Sequence, residues 1–89
     1  MKGAGNMYMH LGSNNIIFTC DLIAILNLDQ PVSEDIEDII EAARLDKKLS
    51  PLCKSGREKS AVICKDRVYL SPISSTTLFR RALNPYKEV

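Results

Sequence analysis

Apolar and polar positions change their period several times along the chain, and each change predicts an element. Residues 7–11 alternate, with Met7, Met9 and Leu11 on one side and Tyr8 and His10 on the other, which is the two-residue repeat of a strand. Gly12-Ser13-Asn14-Asn15 follows as a turn, since glycine and asparagine tolerate positive φ. Residues 16–19 resume as a second strand and Cys20-Asp21 makes a bend. Residues 22–28 are apolar at nearly every position and read as a third strand buried on both faces, closed by Asn27, Asp29, Gln30 and Pro31.

The period then lengthens. Ile36, Ile39, Ile40 and Ala43 fall at i, i+3, i+4 and i+7, one apolar stripe of an amphipathic helix. Ser33 supplies an N-cap hydroxyl, Glu34, Asp35, Glu37 and Asp38 sit at the positive end of the helix dipole, and Arg44, Lys47 and Lys48 fall in its last turn. Residues 49–53 form an extended connector or short strand, and residues 54–59 a flexible basic loop. The clearest stretch comes next. Two short apolar runs, 61–64 and 68–70, are separated by Lys65, Asp66 and Arg67, a charged turn of hairpin length. Ser71-Pro72 ends the second run, because proline has no N–H to give the ladder and disfavours helical backbone in the residue before it. Ser74 then caps a short helix, with Ile73 and Leu78 spaced as a hydrophobic staple, and the helix ends near Leu83 ahead of Asn84-Pro85.

These elements predict an α+β fold: a small antiparallel β-sheet or partly open barrel with one amphipathic helix and a short C-terminal helix, in the order β-β-β-α-(β)-β-β-α. The 89 residues suffice for one domain, expected over 7–83, with residues 1–6 a disordered extension and 84–89 a loose tail. A core this small gains from further burial in an oligomer. No apolar run approaches the roughly 18 residues that cross a bilayer, and the first six residues lack the apolar segment of a secretory signal. A cytoplasmic protein is expected.

Charge changes the picture more than composition does. Residues 1–43 hold one base against seven acids, a net of −6, whereas residues 44–89 hold eleven bases against four acids, a net of +7. Such a split predicts two faces of opposite sign, able to meet an anionic partner or each other in a head-to-tail ring; the plainer account is that the acids occupy one solvated helix. Cys20, Cys53 and Cys64 are odd in number and lack Cys-x-x-Cys spacing, and His10 is the single histidine, so neither a disulfide framework nor a zinc site is expected. No Gly-x-Ser-x-Gly elbow, phosphate-binding glycine loop or sheltered carboxylate pair occurs. An enzyme is not predicted, and no metal, cofactor or small-molecule substrate is expected. Two features point instead to nucleic acid: the loop cations Lys54, Arg57 and Lys59, and Arg80 and Arg81 on the last helix behind the hydroxyls of Ser74, Ser75, Thr76 and Thr77.

The residues Met7-Tyr8-Met9-His10-Leu11-Gly12, Ile16-Ile17-Phe18-Thr19 with Leu22-Ile23-Ala24-Ile25, and the run from Val68 to Leu78 resemble the extracellular matrix regulator family (RemA/RemB) of Gram-positive bacteria, and its RemB branch more than its RemA branch. The pattern from Tyr69 to Leu78 is its most specific part, and the likeness runs from Met7 to Ala82. It implies a small cytoplasmic α+β protein that assembles into a ring and, in the sister branch, binds promoter DNA and activates biofilm matrix genes. It also implies that basic residues of the loop before the hairpin, where Gly56-Arg57 stands, meet the DNA. Two residues depart from that pattern: Glu58 beside Arg57, and Asp21 in the bend after the second strand, where the DNA-binding branch is basic. Each carboxylate repels phosphate where an arginine would attract it. Two readings result. In the first the chain is a DNA-binding transcriptional regulator acting as a ring-like homo-oligomer on double-stranded DNA. In the second it is a non-enzymatic oligomeric interaction module that does not bind DNA and modulates a paralogous regulator.

Overall fold

In the computed structural model, which describes residues 8–83, strand β1 (Tyr8–Gly12) and strand β2 (Asn15–Phe18) form an antiparallel hairpin. A single 3-10 turn, Thr19–Asp21, leads into β3 (Leu22–Asn27), helix α1 (Glu34–Leu45), the short β4 (Leu49–Pro51), β5 (Ser60–Cys64), β6 (Val68–Ser71) and helix α2 (Ser75–Leu83). The main sheet has the order β3-β5-β6-β4. The fold is α+β as expected, with two separate sheets and no closed barrel among the described residues. The bracketed strand is real, yet it joins β6 in parallel, Leu49 opposite Val68 and Pro51 opposite Leu70, so the sheet is mixed rather than wholly antiparallel. Residues 1–6, Met7 and the expected helix stop and tail over 84–89 lie outside the described residues.

Local chemistry accounts for the turns and caps. Ser13 and Asn14 both take positive φ, 54° and 65°, the backbone whose twist suits a tight hairpin. Gly12 before them has φ of 102° and lies so near the turn into α2 that a Cβ there would stand 3.4 Å from Ile73 Cδ1. Ser33 caps α1, its Oγ accepting from the Ile36 N–H at 3.3 Å. Ser74 caps α2 in the same way, accepting from the Thr77 N–H at 3.2 Å. Helix α1 ends earlier than expected, at Leu45, so Lys47 and Lys48 lie beyond it. Lys47 turns left-handed, with φ of 61°, and the N–H groups of Lys47 and Lys48 donate back to the carbonyls of Arg44 and Ala43. This is a Schellman closure.

Two cores lie on opposite faces of the main sheet. On one face Ile25, Val62 and Cys64 pack with Met9, Leu11 and Ile17 of the hairpin and Leu78 of α2. Met9, Leu11, Val62 and Leu78 have no exposed surface, and each such side chain contributes about 1.5–3 kcal/mol by leaving water. On the other face Leu28, Ala61 and Leu70 meet Val32, Ile36 and Ile40 from α1 and the segment before it. Two expectations fail here. Strand β3 is an edge strand rather than one buried on both faces, and Ile23 is 63% exposed. Ile39, expected in the buried stripe of α1, is also exposed, leaving Ile36, Ile40 and Ala43 to carry the contact.

Candidate nucleic-acid interface

The basic loop joins β4 to β5 at the end of the sheet where β3 finishes and α2 begins. Its chain is tied on both sides. On entry, the Leu52 N–H donates to the Leu70 carbonyl at 2.9 Å, and the Leu52 carbonyl accepts from Ser13 Oγ at 2.7 Å. On exit, the Lys59 N–H donates to the Ser71 carbonyl at 2.8 Å and the Lys59 carbonyl accepts from Leu28. Between these ties the Arg57 N–H donates to the Lys54 carbonyl at 3.0 Å, closing a four-residue turn. Gly56 takes φ of 92° at its third position, where a type II turn needs positive φ and glycine adopts it without strain.

The loop carries three of the five cations expected to bind, and its turn brings two of them, Lys54 and Arg57, together. Lys54, Arg57 and Lys59 are all exposed. Lys54 and Arg57, with Cys53 and Pro72, line an open depression of about 300 Å³. Arg80 and Arg81 are not part of the cluster. Helix α2 starts beside the loop exit, where Ser60 Oγ donates to the Ile73 carbonyl at 2.7 Å, and its rise of about 1.5 Å per residue carries both arginines roughly a turn and a half away. Arg80 is exposed there, while Arg81 donates through Nη1 to the His10 carbonyl at 3.0 Å, joining α2 to β1. Two of the hydroxyls at the helix start serve the cap: Ser74 and Thr77 hydrogen-bond each other at 3.0 Å.

The two carboxylates that interrupt the basic pattern have different places. Asp21 lies at the far end of the sheet, since Leu22 pairs with Cys64 and Asn27 with Ser60. Its carbonyl accepts from the Lys65 N–H at 2.9 Å and its Oδ1 stands 3.9 Å from Lys65 Nζ. Glu58 lies in the loop itself, and its Oε1 accepts from the Gly56 N–H at 2.9 Å. It also borders a second depression, of about 210 Å³, between Leu28, Val32, Ile40, Leu70 and Glu37. Nearby, burial first and the Glu58 charge second push the Cys53 thiol up, with Arg57 opposing. The Cys64 thiol, at the Asp21 end, is pushed up to about 11, chiefly by burial and then by Asp21 and Asp66. Neither environment favours a reactive thiolate. Among the described residues no three His, Cys, Asp or Glu side chains gather as a metal site.

Ser60 and Ser71 are the residues that sequence reasoning missed. Both have no exposed surface. Ser71 Oγ donates to the Leu11 carbonyl at 2.7 Å and accepts from the Ile73 N–H at 3.0 Å, tying β1 to the turn that launches α2. With Ser60 on the Ile73 carbonyl, the two hydroxyls hold the loop exit, the hairpin and the helix start in one frame. The available signal was a hydroxyl at the outer end of each apolar run, away from the charged turn.

Residues 8–82 match the family described as RemA-like, extracellular matrix regulatory protein A-like. The chain is also 33% identical over 76 residues to extracellular matrix regulatory protein B of Bacillus subtilis (strain 168), an alignment covering 85% of this chain and 90% of that protein. The chain belongs to this family of extracellular matrix regulators.

Proposed function

We propose that this member of the extracellular matrix regulator family is a non-catalytic DNA-binding protein that regulates matrix genes from the cytoplasm as a ring-like homo-oligomer. The observation that carries the reading is the exposed loop bearing Lys54, Arg57 and Lys59, anchored by hydrogen bonds at both of its ends. Flexible cations lose conformational entropy on meeting phosphate, and a backbone already held in place reduces the part of that cost borne by the main chain. One such turn per protomer would bind weakly; several on one ring would add by effective concentration on a single duplex. Arg80 extends the basic surface, and Arg81 adds charge while holding α2 against β1.

The test is the anisotropy of a labelled random duplex titrated with the protein at several salt concentrations. Binding through phosphates should weaken linearly in log salt, with a slope of about −0.9 for each phosphate neutralised. The Arg57→Ala variant should bind all sequences more weakly and lose about 0.9 from the slope for every Arg57 that touches the duplex. A variant as tight as the parent would remove the loop from the reading. A second reading, a module that assembles without binding DNA and modulates a paralogous regulator, is favoured by one observation: the Glu58 carboxylate already occupies the loop amide. Absence of duplex binding even at low salt would establish it over the first.

A further inference from the structure

The contact between Glu58 and Gly56 is local, exposed and built from parts that a phosphate would use. The Gly56 N–H is a backbone donor flanked in sequence by Lys54 and Arg57, and its acceptor is an anionic oxygen at 2.9 Å. An ideal Cβ placed on Gly56 would meet nothing within 4 Å, so the body of the protein does not crowd the turn at this residue. A backbone amide beside cationic side chains is a donor that a phosphate oxygen can accept from. We infer that the Gly56 amide, with Lys54 and Arg57, is a phosphate site, and that Glu58 is its built-in occupant, a carboxylate that duplex phosphate must displace.

This inference rests on the DNA-binding reading and concerns how that same loop is regulated. The carboxylate acts twice against an incoming phosphate: it fills the donor, and its charge repels. Glu58 already borders the depression lined by Glu37, Ile40 and Leu28, which gives its side chain room to leave the amide. An unmodified loop therefore binds duplex less tightly than its three cations would allow. Anything that draws Glu58 off the amide strengthens binding.

The decisive experiment compares duplex affinity of the parent, Glu58→Gln, Glu58→Ala and Asp66→Asn at matched low salt. Asp66→Asn removes the same unit of charge from the β5–β6 turn at the opposite end of the sheet and reports the effect of net charge alone. Both Glu58 variants should bind about 3- to 10-fold more tightly than the parent, the gain falling as salt screens the charge, with Asp66→Asn changing affinity less than about twofold. A parent that binds while the Glu58 variants match it, or match Asp66→Asn, overturns the built-in occupant and leaves DNA binding standing. Binding by the Glu58 variants where the parent shows none supports the inference in its strongest form. Failure of every variant at low salt overturns the DNA reading itself, and the inference with it.

Discussion

At the scale of single residues, hydroxyl groups separate what local sequence can say from what only the folded chain can. Ser33 and Ser74 were legible as caps because the amides they accept from lie three residues on, within the same turn. Ser71 was legible only as the end of a strand, since its partner, the Leu11 carbonyl, is 60 residues away in sequence. Its hydroxyl is fully buried and satisfies two backbone groups at once. Ser71→Ala should therefore leave a buried carbonyl and a half-buried N–H without this partner and destabilise the fold by about 1–3 kcal/mol, read as a lower midpoint in urea with unchanged slope. Ser74→Ala should cost about 1 kcal/mol, a helix-cap effect. If Ser71→Ala proves no worse than Ser74→Ala, the tertiary role given to Ser71 is wrong. The candidate site divides in the same way. The cations Lys54, Arg57 and Lys59 were legible because they sit close together in the chain. That Glu58 would turn back onto Gly56, and Arg81 onto His10, depends on side-chain directions that no periodicity encodes.

At the scale of elements, the hairpin β5–β6, both helix starts and the β1–β2 turn follow from local rules, and the structure keeps them. The departures occur where tertiary context decides. Strand β3 is apolar throughout, which sequence alone reads as double burial, yet its edge position leaves Ile23 in solvent. Strand β4 carries Pro51, which suits an edge lacking one ladder donor, but its parallel partner β6 follows in the chain only after the basic loop and β5. The end of α1 is a similar case. Its last turn reads as basic, and the actual stop is a left-handed Lys47 whose amide closes on Arg44. A non-glycine residue in that conformation is strained by about 1–2 kcal/mol, and the exposed Lys47 side chain gives back little through contacts. Lys47→Gly should thus stabilise the protein, by about 0.5–1 kcal/mol once the greater freedom of glycine in the unfolded chain is subtracted. Thermal unfolding checks this directly; a lowered midpoint would mean that the lysine serves the helix end through its charge.

At the scale of the whole molecule, the opposite charges of the two halves and the placement of apolar side chains give competing accounts of self-assembly. The acidic residues Glu34, Asp35, Glu37, Asp38 and Glu41 all fall on α1, as a solvated helix would have them, and Glu41 is engaged by Arg44 within that helix. The exposed apolar surface is elsewhere. Tyr8, Ile16 and Phe18 are each about half exposed on the outer side of the β1–β2 hairpin. Tyr8 stands opposite Phe18, their rings edge to face at 6.5 Å, and Ile16 stands opposite His10. Phe79 and Leu83 add further exposed apolar groups on α2, which Arg81 fastens to β1. The apolar group on the hairpin's outer side is the kind of surface that marks an interaction face, and burying it would add to a core that 89 residues make only modestly large. The ring assembly proposed above should then be held by this face rather than by the charged halves. Two measurements of mass by light scattering separate the cases. An assembly held by apolar contact should keep its mass as salt rises, because screening weakens exposed ion pairs and leaves apolar burial intact or stronger. Phe18→Asp, which places a charge opposite Tyr8 at the open end of the hairpin face without touching either core, should reduce the assembly to monomer while leaving the circular dichroism of the folded chain unchanged. A mass that falls with salt and survives Phe18→Asp would transfer the interface to the acidic face of α1 and the basic half of a neighbouring copy. The same basic residues would then be buried between protomers, and the duplex would have to be met by Arg80 or by no surface of the ring at all.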